Sequence, residues 1–337
     1  MANAPDIHVP PARSSKIQAL GALELARRLP KPIFFALAGG GSHGAVQWGS
    51  LQALAETDIT PAALVGSSAG ALTGSVIAED PGSGINRLAY VWAQLNTNYI
   101  LGENWLTREV VVNARKVALI DNQAEHQTLQ QIYSARTFAD LQLPFTAVAT
   151  DLATGRATML NEGELLPALL ASSAIPGVLP PVEINGRLYC DGLASANLPA
   201  VQAVQLGAAS IVVLDTGARS RGDVGVTPTK VAPRVAAILS QNQRSRQMAE
   251  AAAKVPVVVL PTPGDLGGAL NFTESMAAAA DAYRSGRTFL SQLALKHQDV
   301  LAPGIYGPEL PEQGQSDADI TRADSSGQGA DGGADGA

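Results

Sequence analysis

The sequence predicts an α/β fold, a three-layer sandwich in which helices cover both faces of a mostly parallel central sheet. The first observation is a set of short apolar runs typical of buried strands, at residues 33–37, 62–65, 145–152, 210–216 and 255–261. The second is that helix-forming segments alternate with these runs, at residues 45–56, 69–78, 231–254 and 274–297. Because parallel strands need crossover connections, this alternation favours a parallel sheet that is buried on both faces.

The chain divides by composition into three parts. Residues 1–30 are predicted to be an N-terminal extension, rich in proline at first and then with helical spacing. Residues 31–310 hold all of the predicted strands and form a single domain, in which residues 86–137 are a predicted helical insert. Residues 311–337 are acidic, rich in Gly, Ser and Ala and nearly free of large apolar side chains, so we expect a disordered tail.

Charge and composition exclude several function classes. The net charge of −7 argues against a nucleic-acid binder, whose affinity would depend on a basic surface. A single cysteine, Cys190, excludes an internal disulfide and a cysteine-rich metal site. The N-terminal residues lack a signal-peptide pattern and no run of about 18 apolar residues occurs, so we expect a cytoplasmic protein without a spanning helix.

A motif of two glycines and a serine marks the junction between the second predicted strand and its helix. Gly66, Ser68 and Gly70 form the sequence G-x-S-x-G in this strand-to-helix context. The glycines permit a sharp turn that presents the serine hydroxyl as a nucleophile, beside helix N–H groups that stabilise negative charge. An ordinary turn with a capping serine has the same pattern, and the motif alone does not separate the two.

A run of glycines follows the first predicted strand, in the segment "GGGSHG" at residues 39–44. Its glycines match the G-x-G-x-x-G fingerprint of dinucleotide-binding proteins, but that interpretation requires an acidic residue at the end of the next strand, where this chain has Val65. The alternative is that the amides of the loop converge on an oxygen atom and form an oxyanion hole. We favour the oxyanion hole because Ser68 follows the neighbouring strand.

A serine nucleophile requires a base. The chain has four histidines: His8, His43, His126 and His297. Three of them do not follow a predicted strand, where the base of a serine nucleophile is usually placed. His43, in the glycine loop after the first strand, is the exception. Asp191, which precedes Gly192 after a short apparent strand, can approach a neighbouring loop closely, although Asp-Gly is also a common hairpin turn. Asp191 and His43 are therefore the two candidate bases.

Together these segments resemble the patatin-like phospholipase family, whose pattern is a Gly-rich oxyanion loop, a G-x-S-x-G nucleophile elbow and a distant D-G-G/A. The corresponding segments are "GGGSHG" at 39–44, "GSSAG" at 66–70 and "DGL" at 191–193. The similarity extends to "ATDLATG" at 149–155 and to residues 171–199, which include an Ala-Ser-x-Ala-x-Pro run.

The resemblance implies a serine acyl hydrolase that cleaves lipid carboxylic esters, of the phospholipase A or lysophospholipase type, through an acyl-enzyme. It assigns Ser68 and Asp191 as a Ser–Asp dyad without a catalytic histidine, a metal or another cofactor. Gly66 and Gly70 would shape the nucleophile elbow. The implied oxyanion hole is the loop of Gly39, Gly40, Gly41, Ser42, His43 and Gly44, with the backbone N–H groups around Gly40, Gly41 and Ser42 as the donors.

Two positions depart from the family pattern. His43 stands where the family usually has arginine, and Leu193 stands where it has Gly or Ala beside the aspartate. The implied partner is a lipid or acyl ester, and whether the protein also contacts a membrane surface transiently is left open. The apolar residues of 96–112 are compatible with such contact or with packing in the core. The oligomeric state is open. A general carboxylesterase or thioesterase for soluble acyl groups, and a non-catalytic lipid-binding protein, are the alternative functions.

Overall fold

The structure is a computed structural model that describes residues 25–94, 123–217, 228–264 and 274–308. The strands of these residues are β1 (Ile33–Leu37), β2 (Ala63–Ser67), β3 (Phe145–Asp151), β4 (Ala157–Leu160), β5 (Val182–Ile184), β6 (Arg187–Asp191), β7 (Ser210–Leu214), β8 (Pro256–Val259) and β9 (Gly304–Tyr306). The helices are α1 (Ala45–Leu54), α2 (Ala69–Glu79), α3 (Gly84–Gln94), α4 (Gln123–Ile132), α5 (Leu165–Ser173), α6 (Leu193–Ala196), α7 (Ala200–Gln205), α8 (Pro228–Ala252) and α9 (Ser275–Lys296), with short 3-10 helices at Gly41–Gly44 and Phe138–Asp140.

The strands form one sheet with the hydrogen-bonded order β5-β6-β3-β2-β1-β7-β8-β9, and β4 also pairs with β3. Neighbouring strands from β3 through β2, β1, β7 and β8 to β9 are parallel. The pairs that involve β4, β5 and β6 are antiparallel. The predicted mostly parallel α/β sheet is therefore confirmed, with an antiparallel region added at one side.

Alternating side chains of the central strands separate two apolar cores. Phe35 and Leu37 of β1 belong to one core, which also holds apolar residues of α1, α2, α3 and α9. Phe34 and Ala36 belong to the other core, together with residues of α7 and the last turn of α8. Since successive side chains of a strand point to opposite faces, helices cover the sheet on both sides. The predicted three layers are present.

Several predicted segments lie partly or wholly outside the described residues. The predicted insert at 86–137 is described at its ends, where α3 and α4 are helical, and residues 95–122 lie outside the described part, as does the apolar segment 96–112. Residues 1–24 and 309–337, which include most of the predicted extension and the predicted tail, are also outside it. Among the helices of the described ranges, none combines the length and apolar character needed to cross a bilayer.

Candidate active site

Ser68 occupies a strained bend between a strand and a helix. It follows the last residue of β2 and precedes α2, with φ 52° and ψ −124°, a backbone conformation that side-chain-bearing residues rarely adopt. Strain of this kind costs on the order of 1–3 kcal/mol and persists where the surrounding structure enforces it. The side chain is 7% exposed, so the hydroxyl lies in a nearly enclosed site.

The two glycines of the elbow enforce this bend through close backbone packing. A Cβ at Gly66 would lie 2.3 Å from the carbonyl oxygen of Gly70, and a Cβ at Gly70 would lie 2.2 Å from the carbonyl oxygen of Leu37 in β1. Both obstructing atoms belong to the backbone and cannot rotate away. Glycine is therefore required at both positions if the elbow is to pack on the end of β1.

Strand β3 brings the second candidate residue to the elbow. Residues 147–148 pair with both β2 and β4, and residues 149–150 pair with both β4 and β6. Because a strand has two edges and β4 occupies one of them, β2 and β6 share the other edge, end to end. The last residue of β2 lies opposite Val148, and Asp191 lies opposite the next residue, Ala149. Asp191 therefore arrives where the chain bends at Ser68.

Ser68 and Asp191 are hydrogen-bonded. The hydroxyl of Ser68 donates to Oδ2 of Asp191 at 2.7 Å, and the backbone N–H of Leu193 donates to Oδ1 at 2.8 Å. Asp191 is fully buried, and burial raises its pKa to about 7 even though these two hydrogen bonds favour the charged form. A carboxylate in this position is a far stronger base than a solvated aspartate, and both of its oxygens are oriented.

A second buried carboxyl group, which the sequence did not indicate, lies near the first. Glu125 of α4 accepts a hydrogen bond from the hydroxyl of Ser173 at 2.6 Å. Burial, with a smaller contribution from the charge of Asp191, raises the pKa of Glu125 to about 8. The glutamic acid is thus protonated at neutral pH. Its helix is polar and carries no motif, so no sequence signal identified it.

The neighbouring serine of α5 supports the elbow directly. Ser172 accepts a hydrogen bond from the backbone N–H of Ser68 at 3.0 Å and donates its own to the carbonyl oxygen of Val148 at 2.7 Å. It is completely buried. This serine belongs to the Ala-Ser-x-Ala-x-Pro run of the sequence. The run indicated that the segment resembles the family, but it did not indicate that Ser172 contacts Ser68.

The glycine loop passes beside Ser68, and its six residues are not equivalent. A Cβ at Gly39 would lie 3.0 Å from Cβ of Ser68, which places the loop against the elbow. The amide of Gly39, however, donates to the carbonyl oxygen of Asn197 at 2.9 Å, and the amide of His43 donates to that of Gly40 at 3.2 Å. These two amides are therefore engaged in hydrogen bonds within the fold.

The remaining loop amides are placed by the 3-10 helix. Gly41 and Ser42 are its first two residues, whose amides have no acceptor within the helix, whereas Gly44 is its last residue. Gly41 has φ 59°, a left-handed conformation that glycine adopts without strain. The amides of Gly41 and Ser42 are therefore not used within the short helix.

The histidines occupy different surroundings from Ser68 and Asp191. His126 is half-buried and lines a cavity of about 290 Å3 between α4 and α5. His297 follows α9 and packs edge-on against Tyr306, with ring centroids 5.2 Å apart. His43 is buried in the glycine loop, and His8 lies outside the described residues. In the described ranges, no three His, Cys, Asp or Glu side chains are grouped so as to hold a metal ion.

Comparisons with known proteins match this chain to one family. The family model described as patatin-like phospholipase matches residues 35–204, which contain both Ser68 and Asp191. Mouse (Mus musculus) "Patatin-like phospholipase domain-containing protein 7" is 30% identical over 219 residues, which are 64% of this chain and 15% of that protein. An uncharacterized NTE family protein of Mycobacterium tuberculosis is 32% identical over 160 residues, 48% of this chain and 42% of that protein.

The chain therefore spans less than half the length of these two relatives. Among solved structures, that of VipD from Legionella pneumophila aligns with a TM-score of 0.42 at 15% identity, over 78% of this chain and 67% of that one. The family model alone covers half of the chain and includes the glycine loop, the elbow and the aspartate. The chain belongs to the patatin-like phospholipase family.

Proposed function

We propose that this chain hydrolyses carboxylic esters of lipids, with Ser68 as the nucleophile and Asp191 as the base. The observation that carries the proposal is the 2.7 Å hydrogen bond from the Ser68 hydroxyl to Asp191, made at a strained strand-to-helix bend. Membership of the patatin-like phospholipase family supports lipid esters as the substrate class.

The first half of the reaction transfers the acyl group to the enzyme. As Oγ of Ser68 attacks the ester carbonyl carbon, its proton passes to Oδ2 of Asp191, and the carbonyl oxygen becomes an oxyanion. A base is most effective when its pKa lies near the working pH, and burial brings Asp191 to about 7. The intermediate collapses, the protonated Asp191 gives its proton to the departing alcohol, and an acyl-serine is left.

The second half reverses the roles of the same groups. Water attacks the carbonyl carbon of the acyl-serine while Asp191 accepts a proton from the water. The resulting intermediate collapses and releases the carboxylic acid, and Asp191 returns the proton to Oγ of Ser68. In both halves the oxyanion needs donors, and we assign them to the amides of Gly40, Gly41 and Ser42. The N-terminus of α2, which begins at the residue after Ser68, adds a favourable dipole.

The test compares wild-type protein with Ser68→Ala and Ser67→Ala on a short-chain nitrophenyl ester, micellar phospholipid and lysophospholipid. Ser67 is the adjacent buried serine, the last residue of β2, and provides a matched loss of a hydroxyl. We expect wild type and Ser67→Ala to hydrolyse the lipids and Ser68→Ala to be inactive. Activity on the soluble ester alone would instead identify a general carboxylesterase or thioesterase, and inactivity of wild type on all substrates a lipid-binding protein.

A further inference from the structure

Gly39, the residue that begins the glycine loop beside Ser68, is held at both of its backbone polar groups. Its N–H donates to the carbonyl oxygen of Asn197 at 2.9 Å, and its carbonyl oxygen accepts from the hydroxyl of Thr216 at 2.9 Å. Asn197 and Thr216 are themselves buried. Since Gly39 is in contact distance of Ser68, whatever fixes these two partners also fixes the distance from the loop to the nucleophile.

The first of these partners is held by helix α8. The backbone N–H of Asn197 donates to Oε1 of Gln243 at 2.7 Å, and its side-chain amide donates to the hydroxyl of Ser240 at 2.7 Å. Gln243 also donates to the carbonyl oxygen of Ala194 at 3.2 Å. One helix therefore holds the segment that follows the catalytic aspartate at three points, two of them on the residue that binds Gly39.

The second partner is held by the same helix through an ion pair. Arg244 of α8 forms a salt bridge with Asp215, and the two side chains are 7% and 16% exposed. Oδ1 of Asp215 accepts from the backbone N–H of Thr216 at 2.6 Å. The side chain of Thr216 also packs on Gly40, where a Cβ would come within 2.3 Å of its hydroxyl oxygen. Burial lowers the pKa of Arg244 to about 10, so the guanidinium is charged at neutral pH.

We propose that α8 positions the oxyanion loop, through Gln243 and Ser240 acting on Asn197 and through Arg244 acting on Asp215 and Thr216. The three α8 residues lie at positions i, i+3 and i+4, so they share one face of the helix. Helix α8 lies beyond residues 35–204, the part of the chain that the family model matches. The inference rests on the proposed hydrolysis, and it adds positioning residues to that reaction from a helix outside the matched region.

A positioning role predicts a specific kinetic effect. Donors to an oxyanion act on the transition state, so a small displacement of the loop lowers kcat while KM, which reflects substrate binding, changes little. A displacement of about 1 Å can lower the rate by up to about a hundredfold. Loss of one of two supports is expected to lower kcat by about tenfold.

The helix supplies a matched control one turn further on. Gln247 accepts a hydrogen bond from the backbone N–H of Val201 at 3.1 Å, as Gln243 does from Asn197, but it supports α7 and not the glycine loop. Both glutamines are half-buried. We expect Gln243→Ala to lower kcat about tenfold with KM unchanged, and Gln247→Ala to lose comparable stability with kcat unchanged. Equal effects of the two variants on kcat would overturn the inference.

The second support is tested with Thr216→Val and Thr216→Ser. Valine keeps the shape of threonine and removes the donor to Gly39, while serine keeps the donor and removes a methyl group. We expect Thr216→Val to lower kcat with KM unchanged and Thr216→Ser to restore most of it; a better rate for valine would show that packing alone matters. Ser68→Ala is assayed in parallel. If Ser68→Ala stays active, the proposed function is wrong. If Ser68→Ala is inactive but kcat is the same in Gln243→Ala and Gln247→Ala, and in Thr216→Val and Thr216→Ser, only the role of α8 is wrong.

Discussion

Glu125 and Asp191 are two buried carboxyl groups, and the charge of the aspartate opposes ionisation of the glutamic acid. The pKa of Asp191 is about 7 and that of Glu125 about 8, in both cases chiefly because of burial. Burial therefore favours the neutral form of both groups, and the charge of Asp191 favours the neutral form of Glu125 further. Ionisation of Asp191, whose carboxyl group faces Ser68, therefore disfavours a second negative charge at Glu125.

Activity should follow the ionisation of Asp191. Because the carboxylate must be charged to accept the Ser68 proton, kcat/KM is expected to rise with pH, with an apparent pKa near 7, and to level off above it. The measurement is the initial rate on a soluble nitrophenyl ester between pH 5 and 9. A histidine base would titrate nearby, so His43→Gln is the control. In that variant the rise of kcat/KM with pH should keep the same apparent pKa. Loss of this rise would identify His43 as the base.

Asp191→Asn should lower turnover strongly and stabilise the protein at neutral to alkaline pH. We expect a loss between about 100-fold and 10,000-fold, the usual contribution of a general base. The folded-state pKa of Asp191 is raised above 3.8, so its favourable contribution is complete at low pH and is lost as pH rises to about 7. The amide cannot ionise and avoids this loss, which is on the order of a few kcal/mol.

Thermal unfolding of wild type and Asp191→Asn at pH 4 and pH 8 measures this difference. The variant should unfold at a higher temperature than wild type at pH 8, and the gap should shrink at pH 4. A variant that is less stable at pH 8, or that retains turnover, would contradict the assignment of Asp191 as a buried base.

Glu125→Gln should leave activity near wild type at pH 7, because the amide resembles the protonated acid and its oxygen can accept from Ser173. In the wild-type protein the pKa of Glu125 is raised from 4.5 to about 8, so wild type loses stability as pH rises between these values. The variant has no group to ionise there and keeps its stability. Unfolding temperatures at pH 5 and pH 8 report the difference. If Glu125→Gln were inactive at pH 7 though folded, the glutamic acid would have to exchange a proton in the reaction.

Ser172→Ala should weaken both the fold and the elbow. The substitution leaves the N–H of Ser68 and the carbonyl oxygen of Val148 without their partner, at a cost of about 1–3 kcal/mol. Because Ser68 then moves relative to Asp191, kcat is expected to fall about tenfold.

The control is Ser75→Ala, another buried serine, whose hydroxyl contacts Ala71 and Tyr133 within the α2 region. It should lose comparable stability, measured by denaturant unfolding, while kcat is retained. A parallel loss of kcat in both variants would mean that Ser172 acts only through stability.

The sequence predicted the central strands, the elbow and the distant aspartate because each depends on local chemistry. Apolar runs marked β1, β2, β3, β7 and β8, and the glycines around Ser68 marked a bend that only glycine permits. The short strands β4, β5 and β9 and the helices α5, α6 and α7 were not predicted. Strands β4 and β5 are only partly buried, so they lack the continuous apolar run that identifies a central strand.

What the sequence could not give are properties that arise from pairing and burial. The pKa of Asp191 is ordinary in a solvated chain and becomes about 7 only when β6 carries the residue into the interior. Ser172 binds the backbone N–H of Ser68 from a helix that is distant in sequence, and the charge of Asp191 acts on Glu125 of another helix. The glycine loop was predicted from its glycines, but the amide of Gly39 binds Asn197, a long-range contact that no local motif specifies.

The central claim is that the hydroxyl of Ser68, activated by Asp191, is the nucleophile. Wild-type protein is treated with a fluorophosphonate probe, digested and examined by mass spectrometry to locate the adduct. The account predicts one adduct on the peptide that contains Ser68, much slower labelling in Asp191→Asn and none in Ser68→Ala. An adduct on another residue, or labelling of Ser68 at an unchanged rate in Asp191→Asn, would contradict it.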